Sequence, residues 1–201
     1  MSLEIDEEEH SFEMHAPYIY KLTQFLPQGI PKIVPIMISH SSESFNIEIC
    51  DILSQYFRDE SNTFVISSDF CHWGSRFGYT KYTPTGSLDD LISLGISNEL
   101  NNSSNSLKVY KSIEVLDKSA MKIASTGSSK KWKDYIKTTG NTICGQKPIE
   151  LLLRIIEKVR EDDDDHSKDW GTFKWIGYSQ SSKPITFSDS SVSYASAFAV
   201  V

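Results

Sequence analysis

Side chains able to do polar or redox chemistry crowd into one short stretch of the chain. Asp69, Cys71 and His72 fall within four residues, inside Ser67-Ser68-Asp69-Phe70-Cys71-His72-Trp73-Gly74. They follow Thr63–Ile66, a β-branched and aromatic run with the composition of a buried strand. In α/β folds polar chemistry sits just past the carboxyl ends of strands, where loops open onto a crevice. A carboxylate, a thiol and an imidazole are well placed there. On residue types alone a second reading stands beside it, a loop whose serines and aspartate cap a turn. Cys144 is the other residue of interest. Gly145 and Pro148 separate it from the periodic run Ile149, Leu152, Leu153, Ile156 and Val159. The thiol therefore stands just ahead of a helix N-terminus, where the dipole favours negative charge. The alternative is a buried loop cysteine. His10 and His15 lie five residues apart, not the four that set two imidazoles on one helix face, so they do not make a zinc-protease motif.

The elements that must hold these groups can be read from periodicity. Helices are expected at residues 11–25, interrupted early by Pro17, and at 44–58, with Phe45, Ile49, Ile52, Leu53 and Tyr56 at helical spacing. Cys50 falls within the second and reads as packing. Further helices are expected at 107–125, at 130–138 with Gly140 as its stop, and from Pro148 onward. Lys32–Ile38 reads as a strand despite Pro35, which confines it to an edge or bulge. Strand, helix and strand over residues 32–66 then suggest a right-handed βαβ unit. Residues 172–180 and 191–201 read as two closing strands joined by a polar turn. The expected class is α/β, a central mixed sheet flanked by helices.

Composition narrows the function. At 201 residues, with 39% hydrophobic and 23% charged side chains, the chain fits one soluble globular domain. A net charge of −7 argues against a nucleic-acid partner, which calls for a basic face. No apolar run approaches the ~20 residues of a membrane span, and the acidic start has no signal core. Cys50, Cys71 and Cys144 are widely spaced and odd in number, which suits reduced thiols in a cytoplasmic setting. The run Arg160–Lys168 carries charge without core residues and without the interleaved ligands of a calcium loop.

Four blocks together resemble the Memo family (mediator of cell motility). They are Glu9-His10-Ser11-Phe12-Glu13-Met14-His15 with Pro17-Tyr18, the Ser67–Gly74 stretch, Asn141-Thr142-Ile143-Cys144-Gly145 with Pro148-Ile149, and Asp189-Ser190-Ser191-Val192-Ser193-Tyr194-Ala195. The resemblance corresponds to the C-terminal two-thirds of the family domain. It implies that residues 1–201 form a Memo-like domain lacking its N-terminal segment, with low-complexity insertions at 86–106 and 161–168. The family is similar in fold to the class III extradiol dioxygenases, in which two histidines and a carboxylate hold iron and a further histidine is the acid/base. Carried onto this chain, Cys144 stands where the dioxygenase carboxylate sits and His72 corresponds to the acid/base. The resemblance thus implies His72 and Asp69 as catalytic groups, and Cys144 and His72 as metal ligands. His10, Cys71, Trp73 and Arg76 are the expected pocket residues.

Thiolate and imidazole suit copper or iron, whereas replacing a hard carboxylate by sulfur disfavours ring-cleaving dioxygenase chemistry. The resemblance implies a metal-dependent oxidoreductase or its relic, with copper or iron in the intact domain and a role in cell motility signalling. Two family metal histidines have no counterpart here, so this chain is expected to hold metal weakly or not at all. The alternative is a phosphotyrosine-peptide binding module using the same pocket, for which Arg76 and Lys81 supply cations. An absent N-terminal segment would leave a face open, so self-association is also expected.

Overall fold

A computed structural model describes residues 10–38, 41–95, 106–162, 167 and 169–201. The chain divides into two compact units, Met1–His40 and Ser41–Val201. In the first, helix α1 (His10–Thr23) runs through Pro17 and buries none of its residues. Residues 32–38, expected as a strand, pair with nothing among the described residues.

The second unit carries the remaining elements. Helix α2 (Glu43–Phe57) starts at Ser42, whose hydroxyl accepts from the Phe45 N–H at 3.2 Å and so satisfies one orphan donor. Helix α3 (Val109–Ala124) turns Val109, Ile113, Leu116, Asp117, Ala120 and Ala124 inward. Helix α4 (Ser129–Thr139) begins at the Ser128 cap and ends at Gly140, whose φ of 61° is the left-handed stop that glycine tolerates. Helix α5 (Gln146–Asp162) buries Ile149, Leu152, Leu153, Ile156 and Val159, the expected face. It begins two residues before Pro148, which the first turn accommodates because the lost N–H has no partner there.

The strands are β1 (His72–Trp73), β2 (Lys81–Tyr82), β3 (Ile92–Ser93), β4 (Lys174–Gln180) and β5 (Ser191–Phe198). They form a three-stranded sheet of order β1-β5-β4 and a separate β2-β3 pair, and every pairing is antiparallel. The two closing strands thus form as expected, with an irregularity between Trp175 and Gly177. The fold is α/β with small antiparallel sheets. The expected mixed sheet is not seen among the described residues, and neither is the βαβ unit. Thr63–Ile66 has strand composition but no ladder; composition favours a pleated surface, and a strand still needs a neighbour to pair with.

Part of the expected insertion at 86–106 is packed structure. Leu94 is buried, and Leu88 packs against both hydrophobic clusters. Residues 96–105 lie outside the described residues, as do His40 and, within the second expected insertion, residues 163–166 and 168. No helix of the described residues is long and apolar enough to cross a membrane.

Two clusters make the core. One gathers Phe70, Ala120, Ala124, Trp132, Tyr135, Ile143, Ile149 and Leu153; the other gathers Cys71, Trp73, Tyr79, Tyr82, Leu94, Val109, Ile113 and Leu116. The adjacent residues Phe70 and Cys71 plug into different clusters, so the chain just before His72 is anchored in both.

Candidate functional site

The segment 69–73 is held from both sides. On one side it continues the pairing of β1 with β5. The Phe70 N–H donates to the Ser193 carbonyl at 2.8 Å, and the Ser193 N–H donates to the Cys71 carbonyl at 2.9 Å. On the other side it meets residues 142–145. The Cys144 N–H donates to the Asp69 carbonyl at 3.2 Å, and the Asp69 N–H donates to the Cys144 sulfur at 3.0 Å. The Gly145 N–H donates to the Ser68 hydroxyl at 3.0 Å, and that hydroxyl donates to the Asp69 carbonyl at 2.8 Å. Gly145 makes this approach possible. A Cβ there would overlap the Ser68 side chain and lie 2.7 Å from the Ser67 carbonyl oxygen.

Thr142 fixes the imidazole. Its hydroxyl accepts from the His72 N–H at 2.9 Å and donates to the His72 carbonyl at 2.7 Å. Its own carbonyl lies 3.0 Å from His72 Nδ1. A carbonyl only accepts, so Nδ1 carries the proton in this bond and Nε2 is turned elsewhere. Nε2 stands 3.6 Å from Asp69 Oδ2, an ionic contact when the ring is protonated and too long for a hydrogen bond. Asp69 is therefore the common neighbour of the thiol and the imidazole: its backbone meets Cys144 and its carboxylate faces His72.

Burial separates the three cysteines. Cys50 and Cys71 are buried, and that burial pushes both thiols up; Cys144 is exposed. The exposed sulfur is thus the one beside Asp69. Cys71 and Trp73, expected in the pocket, are core residues with no exposed surface. The cause is the period of the segment, which sends them into the second cluster. The Trp73 indole N–H is satisfied there by the Lys81 carbonyl at 2.8 Å. Arg76 is exposed on a turn of 3-10 helix, Ser75–Phe77. Its guanidinium sits 4.3 Å from the centre of the Phe77 ring, which in turn meets the His72 ring edge-on at 5.3 Å. His10 is exposed at the start of α1, in the first unit.

Thr142 and Ser68 were not among the expected site residues. Thr142 and Ser68 lie inside the two blocks that carry the resemblance, so their position was visible and their role was not. As ligands, Cys144 supplies an exposed sulfur, and His72 presents Nε2 with Nδ1 held by a carbonyl, the usual arrangement of a ligating imidazole. This donor pair fits a soft or borderline metal. Among the described residues no three His, Cys, Asp or Glu side chains are grouped so as to hold an ion.

Comparison with known proteins adds to this geometry. The family model described as Memo-like protein matches residues 1–198. A match confined to the C-terminal two-thirds of the family is not borne out. The chain is 45% identical over 201 residues to "MEMO1 family protein C4H3.04c" of Schizosaccharomyces pombe, covering 99% of this chain and 62% of that protein. It is 38% identical over 213 residues to "MEMO1 family protein MHO1" of Saccharomyces cerevisiae, covering 100% and 62%. It is 38% identical over 201 residues to "Protein MEMO1" of Xenopus laevis, covering 100% and 59%. The chain therefore spans about three-fifths of the length of these relatives. Matched along nearly its whole length by the family model and by proteins from yeasts to a frog, the chain belongs to the Memo family.

Proposed function

We propose that Cys144 and His72 are two ligands of a copper or iron site in the intact protein, with a redox role in cytoplasmic motility signalling. The observation that supports this reading is the double staple of the Asp69–His72 and Thr142–Gly145 segments, which keeps an exposed sulfur and an oriented imidazole about one aspartate. A metal bound there would supply one-electron chemistry. The chain's own contribution is to fix the ring through Thr142, keep the proton on Nδ1 and hold the Asp69 carboxylate beside Nε2. Among the described residues no third such side chain joins Cys144 and His72, and a site with two protein ligands is expected to hold metal weakly. Metal titration of the chain, read by calorimetry, tests the reading: binding should weaken about tenfold or more in Cys144→Ala and in His72→Ala. Equal binding by all three chains would overturn it.

A second reading rests on Arg76. Its guanidinium is stacked on Phe77, whose ring meets His72, and an anionic group of a phosphotyrosine peptide would pair with it. A phosphorylated peptide should then bind the chain more tightly than its unphosphorylated twin, and less tightly to Arg76→Ala. Equal binding of the two peptides removes this reading.

A further inference from the structure

A buried carboxylate lies beneath the site. Asp117, on the core face of α3, has no exposed surface, yet it is matched by donors from separate parts of the fold. Its Oδ1 accepts from the Cys71 N–H at 3.2 Å and from the Asn141 amide at 3.3 Å. Its Oδ2 accepts from the Tyr178 hydroxyl at 2.9 Å, and the Ser193 side chain bonds to the same carboxylate. The two Oδ1 donors are the informative ones. Cys71 immediately precedes His72, and Asn141 immediately precedes Thr142, the residue that clamps the His72 ring. One oxygen therefore bridges the two segments whose separation sets the imidazole against the thiol.

Asn141 is itself oriented by this demand. Its amide donates to Asp117 and to the Tyr135 hydroxyl at 2.9 Å, while Tyr135 donates onward to the Leu116 carbonyl at 2.7 Å. Its Oδ1 has no partner among the described residues. Rotating the amide would aim that oxygen at a carboxylate oxygen, so the observed orientation is the one that serves Asp117.

We propose that Asp117 is a positioning residue, which fixes the spacing and ring orientation of His72 against Cys144 by tying Cys71 to Asn141. The proposal rests on the reading of His72 and Cys144 as the site, but its test uses no metal. Two signals report the geometry. One is the His72 tautomer, read from imidazole 15N shifts assigned with His72→Gln. The other is the rate at which an alkylating reagent labels Cys144, the exposed thiol, at fixed pH.

Asp117→Ala should shift the His72 population away from the Nδ1–H form and change the labelling rate by about fivefold or more, as loss of outer-shell support does. Asp117→Asn keeps an acceptor for both backbone and amide donors and turns its NH2 toward Tyr178, so it should restore both signals. A purely structural Asp117 would lower stability in both variants and move neither signal in the folded protein; that result overturns the proposal. Should Asp117→Ala not fold, Asn141→Ala breaks the same bridge and is expected to shift both signals, with no shift counting against it. In the unsubstituted chain, an Nε2–H tautomer at His72 would also overturn it. Unaltered metal binding in Cys144→Ala and His72→Ala would remove the metal reading and leave this inference standing.

Discussion

Thr142 carries more of the site than its chemistry suggests. One hydroxyl bonds both the N–H and the carbonyl of His72, and the Thr142 carbonyl takes the ring proton. Thr142→Val keeps the shape and strands two half-buried backbone groups. It should cost about 1–3 kcal/mol in a urea titration, whereas Thr142→Ser should stay within about 1 kcal/mol. Cys144, Asp69 and His72 were legible in the sequence because their types announce chemistry. Thr142 was not, because a threonine acting through its backbone partners has no signature. Asp117 had one: it sits four residues after Ile113 and three before Ala120, a carboxylate at a core spacing. Conversely, Cys71 and Trp73 looked like pocket residues because they flank His72, and only the alternation of the segment reveals that they point into the core.

Among the elements, two glycines are junctions. At Gly145 the segments 67–69 and 142–145 touch. Gly145→Ala forces Ser68 away and should cost about 1–3 kcal/mol by overpacking, with faster labelling of Cys144 as the staple loosens. At Gly74, with φ of 125°, a Cβ would meet the Asp189 carbonyl at 2.6 Å and Ser190 at 2.9 Å. The turn it abuts is tied by Asp189, whose carboxylate accepts from the Ile185 N–H at 2.9 Å and the Thr186 N–H at 2.8 Å. These backbone donors, with the Thr186 hydroxyl, hold its pKa below the usual carboxylate value. The folded pKa is depressed, so the stabilisation is present above the unfolded value near ~3.9 and is lost as pH falls through the folded one. Thermal melts should therefore show Asp189→Asn less stable than the parent at pH 7, with the gap closing as pH falls through the depressed folded value. Helices were legible to within a few residues from periodicity and caps such as Ser128 and Gly140. Strands 32–38 and 63–66 were misread because a β-rich run specifies a strand only with a partner to pair it.

At the scale of the whole molecule, the buried hydrophobic residues among those described lie in Ser41–Val201. Leu153, fully buried on α5, should cost about 2–5 kcal/mol as Leu153→Ala. Leu22 on α1 is 80% exposed, and Leu22→Ala should stay within about 0.5 kcal/mol in the same denaturation series. Side chains such as Phe45, Ile52, Tyr56, Ile176 and Val200 stand exposed on the second unit. A chain showing that much apolar surface should self-associate, seen as a concentration-dependent sedimentation coefficient.

On the proposed function, the Cys144 sulfur and the His72 ring share one metal. Titrating the chain with copper and following thiolate-to-metal charge-transfer absorption tests it directly. A band is expected that saturates only at excess metal, vanishes in Cys144→Ala and is reduced and shifted in His72→Ala. A band unchanged in both variants, or none in the parent chain, would contradict it.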